Sequence, residues 1–480
     1  MIPEVPGWIA PLIRARAALS SASQSGLLSA LLTSYASSIA RVLSWAIAAA
    51  VVYRYQGADE LAVLMLLRGM VGLLSYMTAG LTPSLVHALS RPSAVITLND
   101  SDGPLDYEPV TPRQTQPTHD TIFNTALIVV ICASGVAAAA AFFYASHLDW
   151  FHQIAASQPF SATAQDAYRI TLGLAMAVIL RSLSEVPAAK LQATGGQTFD
   201  NVCQIAAELL FMGRVLVFAR HSGADVAVSD AFAMSSIGLV LMRFSALGLY
   251  AKFAGFRIDL RVVPYLLAMG AWVTLSQIAD WFYAPFNQVL IDRYLDTSMI
   301  ARYVPAIQID GAMLLLVSGI AVALLPRAAS MFHDANWAAL RRDYIYGTAV
   351  SLLLLAAGAV VVCLIDGWLF QKWFGNPLVG TQEILPWVMV HTVIGGSASI
   401  GRSVLFGMGR MKPYAITAIV GGVSNAVLAS IVVTTTDWGL KGIIWVTIFT
   451  VFCRCALWLP WYTLRAIRAE ARGRSLAPAA

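Results

Sequence analysis

Charged side chains are scarce in this sequence. Of its 480 residues, 12% are charged and 58% are hydrophobic, and the mean hydropathy is +0.70. Ordinary soluble domains carry about 25% charged residues, and a soluble protein could not bury so much apolar surface. The composition therefore excludes a large soluble enzyme. It predicts an all-α, polytopic membrane protein, because helices satisfy their own backbone hydrogen bonds in lipid.

The marks of several other protein classes are missing as well. The five cysteines lie in apolar segments and form no C-x-x-C pair, which argues against disulfides and zinc sites. No basic run is interleaved with aromatics, so nucleic-acid binding has no support. There is no phosphate-binding glycine loop and no separate soluble domain, so we expect no cofactor and no enzymatic activity. No cleavable signal peptide is evident, and we expect the first span to act as an uncleaved anchor.

Twelve segments are long and apolar enough to cross a membrane, since a spanning helix needs about 20 such residues. We expect two six-helix bundles, at residues 26–255 and 256–465, between a cytoplasmic or interfacial segment 1–25 and a tail 466–480. The polar, proline-rich segment 90–120 predicts a flexible cytoplasmic loop. The approximate limits of the spans are 26–53, 61–88, 122–145, 168–193, 202–220, 230–252, 263–292, 299–326, 343–365, 384–407, 412–434 and 440–464.

Basic residues are distributed unequally between the two sides of this layout. The loops and tails on the side of the termini hold seventeen arginines and lysines, whereas the opposite loops hold seven. Cytoplasmic loops carry the excess of basic residues. The pattern predicts a multi-pass protein with both termini in the cytoplasm, and we expect a bacterial inner membrane.

The two halves share an internal repeat. Arg54-Tyr55 and Arg293-Tyr294 match within segments that align without a gap at a shift of 239 residues: Ile39 to Gly57 (IARVLSWAIAAAVVYRYQG) and Ile278 to Asp296 (IADWFYAPFNQVLIDRYLD). The fourth and tenth spans also both end on glycines, in KLQATGGQ and VLFGMGRM. Six spans per half is an even number, so the repeat is parallel and predicts a cavity between two pseudo-symmetric bundles.

These stretches resemble a known group. Arg41 to Leu43, the turn YRYQGADEL and the region of Pro83 are similar to the opening of the multidrug/oligosaccharidyl-lipid/polysaccharide (MOP) exporter superfamily. TLSQIADWFYAPFNQVLIDRY resembles the start of the second half in the same group. The similarity is greatest to the polysaccharide branch, the Wzx-type O-antigen flippases. The resemblance implies a V-shaped pair of bundles that moves a polyprenyl-pyrophosphate-linked oligosaccharide across the inner membrane by alternating access.

Polar residues inside the spans are the candidate site residues, because ionisable groups in a membrane are costly and mark substrate or ion pathways. Arginine binds phosphate oxygens through paired hydrogen bonds. We therefore expect Arg41, with Arg68 or Arg402, to hold a pyrophosphate. The other candidates for substrate binding are Asp280, Asp310, Asn287 and Gln277, and those for ion coupling are Asp280, Asp310 and Glu208.

Some polar residues have simpler explanations. Arg181 and Glu185 are spaced i, i+4, which predicts that they neutralise each other. Glu208 stands alone on the fifth span, and Arg454 is interpreted as structural. By the repeat shift, Asp280 takes the position of Arg41, so the two could also pair with each other across the cavity.

Three functions remain open at this level. The first is the flippase of a lipid-linked oligosaccharide (an O-antigen or exopolysaccharide repeat unit), with membrane lipids and glycan polymerases or glycosyltransferases as partners. The second is a multidrug/cation antiporter of the same superfamily, which would use Asp280 or Asp310. The third is a non-transporting membrane subunit of a glycan-synthesis complex.

Overall fold

A computed structural model describes residues 10–75, 85, 89, 119–148, 164–194, 196–219, 223–250 and 256–475. Within these ranges the regular structure is helical throughout. The segment predicted as a loop at 90–120 lies outside the described residues apart from its last two positions. The all-α prediction is confirmed, and it reflects the requirement that a spanning segment satisfy its backbone internally.

The first half contains six helices among its described residues. The second of them continues into a short 3₁₀ turn at Leu73–Ser75. α5 packs on α1 and α6, and α4 packs on α3 and α6. The bounds are α1 Ala10–Gln56, α2 Ala58–Gly72, α3 His119–Ser146, α4 Ala164–Ala193, α5 Gln197–Phe218 and α6 Ala224–Tyr250.

The second half contains nine helices among its described residues, because three of its predicted spans are interrupted. α9 packs on α11 and α12, α7 on α13, and α14 on α11 and α13. A π-helical turn at Phe452–Trp458 joins the last two helices. The bounds are α7 Val262–Trp281, α8 Ala284–Tyr294, α9 Ser298–His333, α10 Trp337–Phe374, α11 Val379–Ser397, α12 Ser399–Gly407, α13 Met411–Thr435, α14 Gly439–Val451 and α15 Leu459–Ser475.

Helices lie at all twelve predicted spans, and ten stretches of the described residues are long and apolar enough to cross a membrane. The second and seventh predicted spans are not among the ten. Large apolar side chains such as Phe142, Leu353 and Leu364 are exposed on the outside of the bundles. A contiguous apolar exterior of this kind fits lipid rather than water.

The seventh predicted span breaks in the middle, at the cavity described below. α7 ends at Trp281, and Pro285 occupies the first turn of α8. A proline has no N–H, and its ring clashes with the carbonyl four residues earlier, which here belongs to Trp281. The repeat counterpart of Pro285 is Ala46, where α1 continues unbroken. Asn425 Nδ2 donates to the carbonyl of Phe282 at 2.9 Å and satisfies one group that the break releases.

The two halves touch at the end of the molecule where α1 meets α2, which we call the distal end. Gly375 adopts a left-handed φ of 78° and terminates α10, which leaves the last carbonyls of that helix without partners inside the helix. Arg54 Nη2 donates to two of them, Lys372 O at 2.7 Å and Trp373 O at 2.8 Å. Trp373 Nε1 in turn donates to Ala46 O at 2.9 Å. These bonds form the distal contact between the halves.

Candidate functional site: a polar cavity in the second half

A cavity of about 420 Å³ lies inside the second half of the chain. It is bounded by α7, α8, α9, α11, α12, α13, α14 and the π-helical turn, and its wall combines leucines and valines with a few charged groups. This composition is typical of a small-molecule or ion site, where sparse polar groups determine what binds. The ionisable residues on its wall are Asp280, Tyr283, Tyr303, Asp310, His391, Arg402, Tyr414 and Arg454.

Asp310 and His391 form one cluster on this wall. Asp310 on α9 is 9% exposed. Thr392 Oγ1 donates to Asp310 Oδ1 at 2.6 Å, and His391 Nδ1 lies 3.8 Å from the same oxygen. One buried carboxylate therefore has a hydroxyl donor and a histidine beside it.

Asp280, Arg402 and Arg454 form a second cluster in the same cavity. Asp280 is exposed to the cavity, and Arg402 and Arg454 are the arginines that act electrostatically on it. The side chain of Asp280 makes no hydrogen bond to any residue that the structure describes, and Arg402 lies beside the hydroxyl of Tyr414. The cluster contains two guanidinium groups for one carboxylate.

Local irregularities of the backbone place this second cluster. Asp280 lies in the last turn of α7, directly before the break that Pro285 causes. Arg454 lies in the π-helical turn, a conformation that is frequent at functional sites. Its guanidinium carbon lies 5.3 Å from the ring centre of Tyr283, the residue at the break. A regular α-helix at either position would aim these side chains in other directions.

Asn287 and Gln277, two of the predicted substrate-binding residues, do not line the cavity. Asn287 is fully buried, and its Nδ2 donates to Thr447 Oγ1 at 3.1 Å. Its Oδ1 accepts from Asn425 at 3.4 Å, so it belongs to the network that holds the helix break. Asn287 is thus engaged in structural bonds, and its assignment to the substrate stays a prediction. Gln277 Oε1 is buried and has no hydrogen-bond partner among the described residues.

Glu208 on α5 is not isolated, contrary to the sequence interpretation. It is 1% exposed, and its Oε1 lies 2.8 Å from Arg181 Nη1 and accepts from Gln204 at 2.9 Å. Ser44 Oγ donates to Oε2 at 2.6 Å. A carboxylate held by an arginine and two neutral donors is stabilised in its charged form. This environment argues against Glu208 as a group that releases and rebinds an ion.

The predicted i, i+4 pair of Arg181 and Glu185 is wrong. Arg181 reaches Glu208 on α5, whereas Glu185 lies 3.2 Å from Arg243 Nη1 on α6. Arg243 Nε also lies 2.8 Å from Asp200 Oδ1 on α5. Each of these side chains thus finds a closer partner of opposite charge on a neighbouring helix than on its own helix. The polar groups of α4, α5 and α6 thus neutralise one another between helices.

Arg41 and Arg68, predicted to hold a pyrophosphate with Arg402, lie apart from it in the first half. Arg41 is exposed. The guanidinium carbon of Arg68 lies 3.6 Å from the ring centre of Trp45. This cation–π contact offsets part of the free-energy cost of a charged group in the membrane. Arg402 belongs to the cavity of the second half. The three predicted arginines are therefore divided between the two halves of the chain.

Sequence reasoning missed the importance of His391, Thr392 and Arg454. His391 and Arg454 are visible as ionisable residues inside apolar spans, which is the signal that could have marked them. Thr392 carries no such signal, because a threonine in a helix usually bonds its own backbone. Arg402, a predicted substrate-binding residue, does line this cavity, and Ser399 one turn earlier lines it too.

The comparisons with known proteins agree with this architecture. The sequence matches no protein-family model and no curated protein. The fold is similar to that of solved transporters of the MATE family, which belongs to the MOP superfamily. An inward-facing conformation of a multidrug resistance MATE transporter matches with a TM-score of 0.72 and 15% identity, over 91% of this chain and 96% of that one.

Two further structures bear out the same fold. A MATE protein in the bent conformation matches with a TM-score of 0.64 and 16% identity, over 94% of this chain and 97% of that one. An outward-facing conformation of a multidrug resistance MATE transporter gives a TM-score of 0.61 and 18% identity, over 92% and 96%. The expected MOP-type architecture is confirmed at the level of the fold, and the polysaccharide branch is not distinguished by these matches.

Proposed function

We propose that this chain is a proton-coupled antiporter that exports organic molecules across a membrane, with the coupling group in the second half. The observation that carries the proposal is the cluster of Asp310, Thr392 and His391 on the wall of an intramembrane cavity. The MATE-like fold adds support, because several similar structures are described as multidrug transporters. This favours the antiporter over the flippase that the sequence resemblance ranked first.

Asp310 suits proton coupling better than the other candidate carboxylates do. Asp280 lies beside two arginines, Arg402 and Arg454, either of which can pair with it. Glu208 is held by Arg181 in the same way. Asp310 has a hydroxyl and a histidine as neighbours and forms no ion pair with an arginine or lysine among the described residues. A coupling group must alternate between both protonation states during each cycle.

The test is transport by purified protein in proteoliposomes under an imposed pH gradient. Wild-type protein is expected to drive accumulation of a fluorescent organic cation, and collapse of the gradient should stop it. Asp310→Asn should abolish the gradient dependence. Asp296→Asn serves as the matched control, because Asp296 is exposed outside the cavity and only caps a backbone N–H, which asparagine also does. Accumulation by Asp310→Asn at the wild-type rate would refute the role of Asp310.

A second candidate function is the flipping of a lipid-linked oligosaccharide. The observation that favours it is the number of arginines inside the spans, Arg41 and Arg68 in the first half and Arg402 and Arg454 in the second. Guanidinium groups suit a pyrophosphate. Under this proposal glycosyltransferases or a glycan polymerase are the partners. Translocation of a labelled lipid-linked sugar in proteoliposomes, lost with Arg402→Gln, would support this function over drug export.

The same proposal includes a location. We propose a bacterial inner membrane with both termini in the cytoplasm, because the basic residues are concentrated on the side of the termini. The distal contact would then lie on the outer side. Protease or fluorescence tagging of the C-terminal tail tests this orientation, and an outward-facing tail would contradict it.

A further inference from the structure

The second cluster of the cavity has more hydrogen-bond donors than the protein supplies acceptors for. Arg454 Nη1 is buried and has no hydrogen-bond partner among the described residues. An arginine side chain presents five N–H donors, and a buried donor without a hydrogen bond is costly. The Tyr283 hydroxyl beside it is equally buried and unbonded within the described part of the chain. Both residues line the cavity. Two orphaned donors thus lie at the same wall.

The charges of the cluster show the same excess. Arg402 and Arg454 repel each other, and Asp280 is the carboxylate that acts on both among the described residues. The Tyr414 hydroxyl at Arg402 carries no charge to offset a guanidinium. Asp310, the other carboxylate on the cavity wall, is engaged by Thr392 and His391. The cluster by itself therefore carries a net positive charge, which is unfavourable among apolar helices unless an anion neutralises it. The unbonded donors and the excess positive charge of this cluster would therefore both be satisfied by the same kind of group, a negatively charged hydrogen-bond acceptor.

The position of the cluster lets a ligand reach it. Arg402 and Asp280 are both exposed to the cavity, so their charged ends are not sealed by packing. A volume of about 420 Å³ exceeds what one carboxylate or phosphate needs. Asp310 and His391 lie on the same wall, so an anion here would change the field at the coupling group.

We propose that Arg402 and Arg454 form a binding site for one oxyanion, a carboxylate or phosphate group, with the Tyr283 hydroxyl as a third donor. Arginine recognises the planar oxygens of such groups through paired hydrogen bonds. Asp280 competes with the ligand for the same two guanidinium groups. The inference deepens the proposed function, on which it rests for its physiological meaning, because it assigns to the transported molecule an anionic group in addition to the cationic part that the export assay follows.

The experiment measures binding by the full-length protein purified in detergent, without transport. Inorganic pyrophosphate and acetate are titrated separately, and thermal stability reports occupancy, since a ligand that binds only the folded state raises the melting temperature. Wild-type protein should be stabilised by at least one of the two probes. Arg402→Gln and Arg454→Gln should each weaken its binding at least tenfold. Arg302→Gln, which removes an exposed arginine outside the cavity, should leave it unchanged.

Asp280→Asn makes the test directional. If Asp280 competes with the anion, Asp280→Asn should bind the probe more tightly than the wild type, by about tenfold for each 1.4 kcal/mol of removed repulsion. Weaker binding of the anion probe by Asp280→Asn than by the wild type would overturn the proposal. Equal binding by wild type, Arg402→Gln and Asp280→Asn would overturn it too, even if Arg454→Gln failed to fold.

The two probes separate the possible sources of the anion. Tighter binding of pyrophosphate indicates a phosphate-bearing molecule, and tighter binding of acetate indicates a carboxylate. Because the readout is binding, its failure would leave proton-driven export intact. Conversely, a failure of proton coupling would leave the binding result unaffected.

Discussion

The distal contact is expected to control which side of the protein opens. Arg54→Gln removes the bonds to the carbonyls of Lys372 and Trp373, at 2.7 and 2.8 Å. A charged donor at a helix C-terminus gains from both the hydrogen bonds and the helix dipole, and because Arg54 is exposed we expect a total of about 1–2 kcal/mol. Loss of this stabilisation should raise the population of states in which the halves are separated at the distal end about 5- to 30-fold.

Thiol accessibility in membranes measures this shift. Ala50 is 8% exposed and lies one turn from both Ala46 and Tyr53, whose contacts with Trp373 and Phe374 show that this face of α1 meets α10. In protein without the five native cysteines, Ala50→Cys should react faster with a membrane-impermeant maleimide when Arg54→Gln is added.

The internal repeat provides the control for this measurement. Arg293 is the repeat counterpart of Arg54, is exposed, and lies over the ring of its own neighbour Tyr294 at 5.2 Å. Arg293→Gln should leave the reaction at Ala50→Cys unchanged. Equal labelling rates for Arg54→Gln and Arg293→Gln would refute the view that the distal contact holds the halves together.

Three further variants test the energetics. Glu208→Gln leaves the guanidinium of Arg181 unneutralised and should cost about 3–5 kcal/mol of stability in detergent, so a wild-type melting temperature would contradict the buried pair. Asn425→Ala leaves a carbonyl at the helix break unsatisfied and should cost about 1–3 kcal/mol in the same assay. The pKa of Glu60 is raised, chiefly by burial and then by the neighbouring Asp225 carboxylate. The ionised carboxylate therefore lowers the free energy of unfolding at pH values above that pKa. Glu60→Gln should therefore raise the melting temperature near about pH 8, and the gain should vanish below the ordinary value of about 4.3.

The all-helical fold and the places of the spans could be predicted, because both follow from hydropathy along the chain. The break before α8 was also visible in principle, since Pro285 falls inside an apolar span, yet the span was predicted as continuous. Proline within a membrane helix is common and does not always break it. The neighbouring Asn425 network decides the outcome here, and it depends on a helix about 140 residues later in the chain.

The partners of charged residues were the least predictable part of the site. Arg181 and Glu185 satisfy the i, i+4 rule, but each finds a partner on another helix. The rule describes isolated helices, in which no second helix competes. In the same way, Arg402 could not be separated from Arg41 and Arg68 by sequence, because only the packing assigns them to different halves.

Proton release tests the central claim most directly. With a pH-sensitive dye trapped in proteoliposomes, addition of the transported organic cation on one side should change the internal pH for wild type and for Asp296→Asn. Asp310→Asn should bind the same cation but produce no change in pH. A pH response of wild-type size from Asp310→Asn would contradict the assignment of the coupling group to the cavity of the second half. A sodium-dependent signal without proton movement would contradict proton coupling itself.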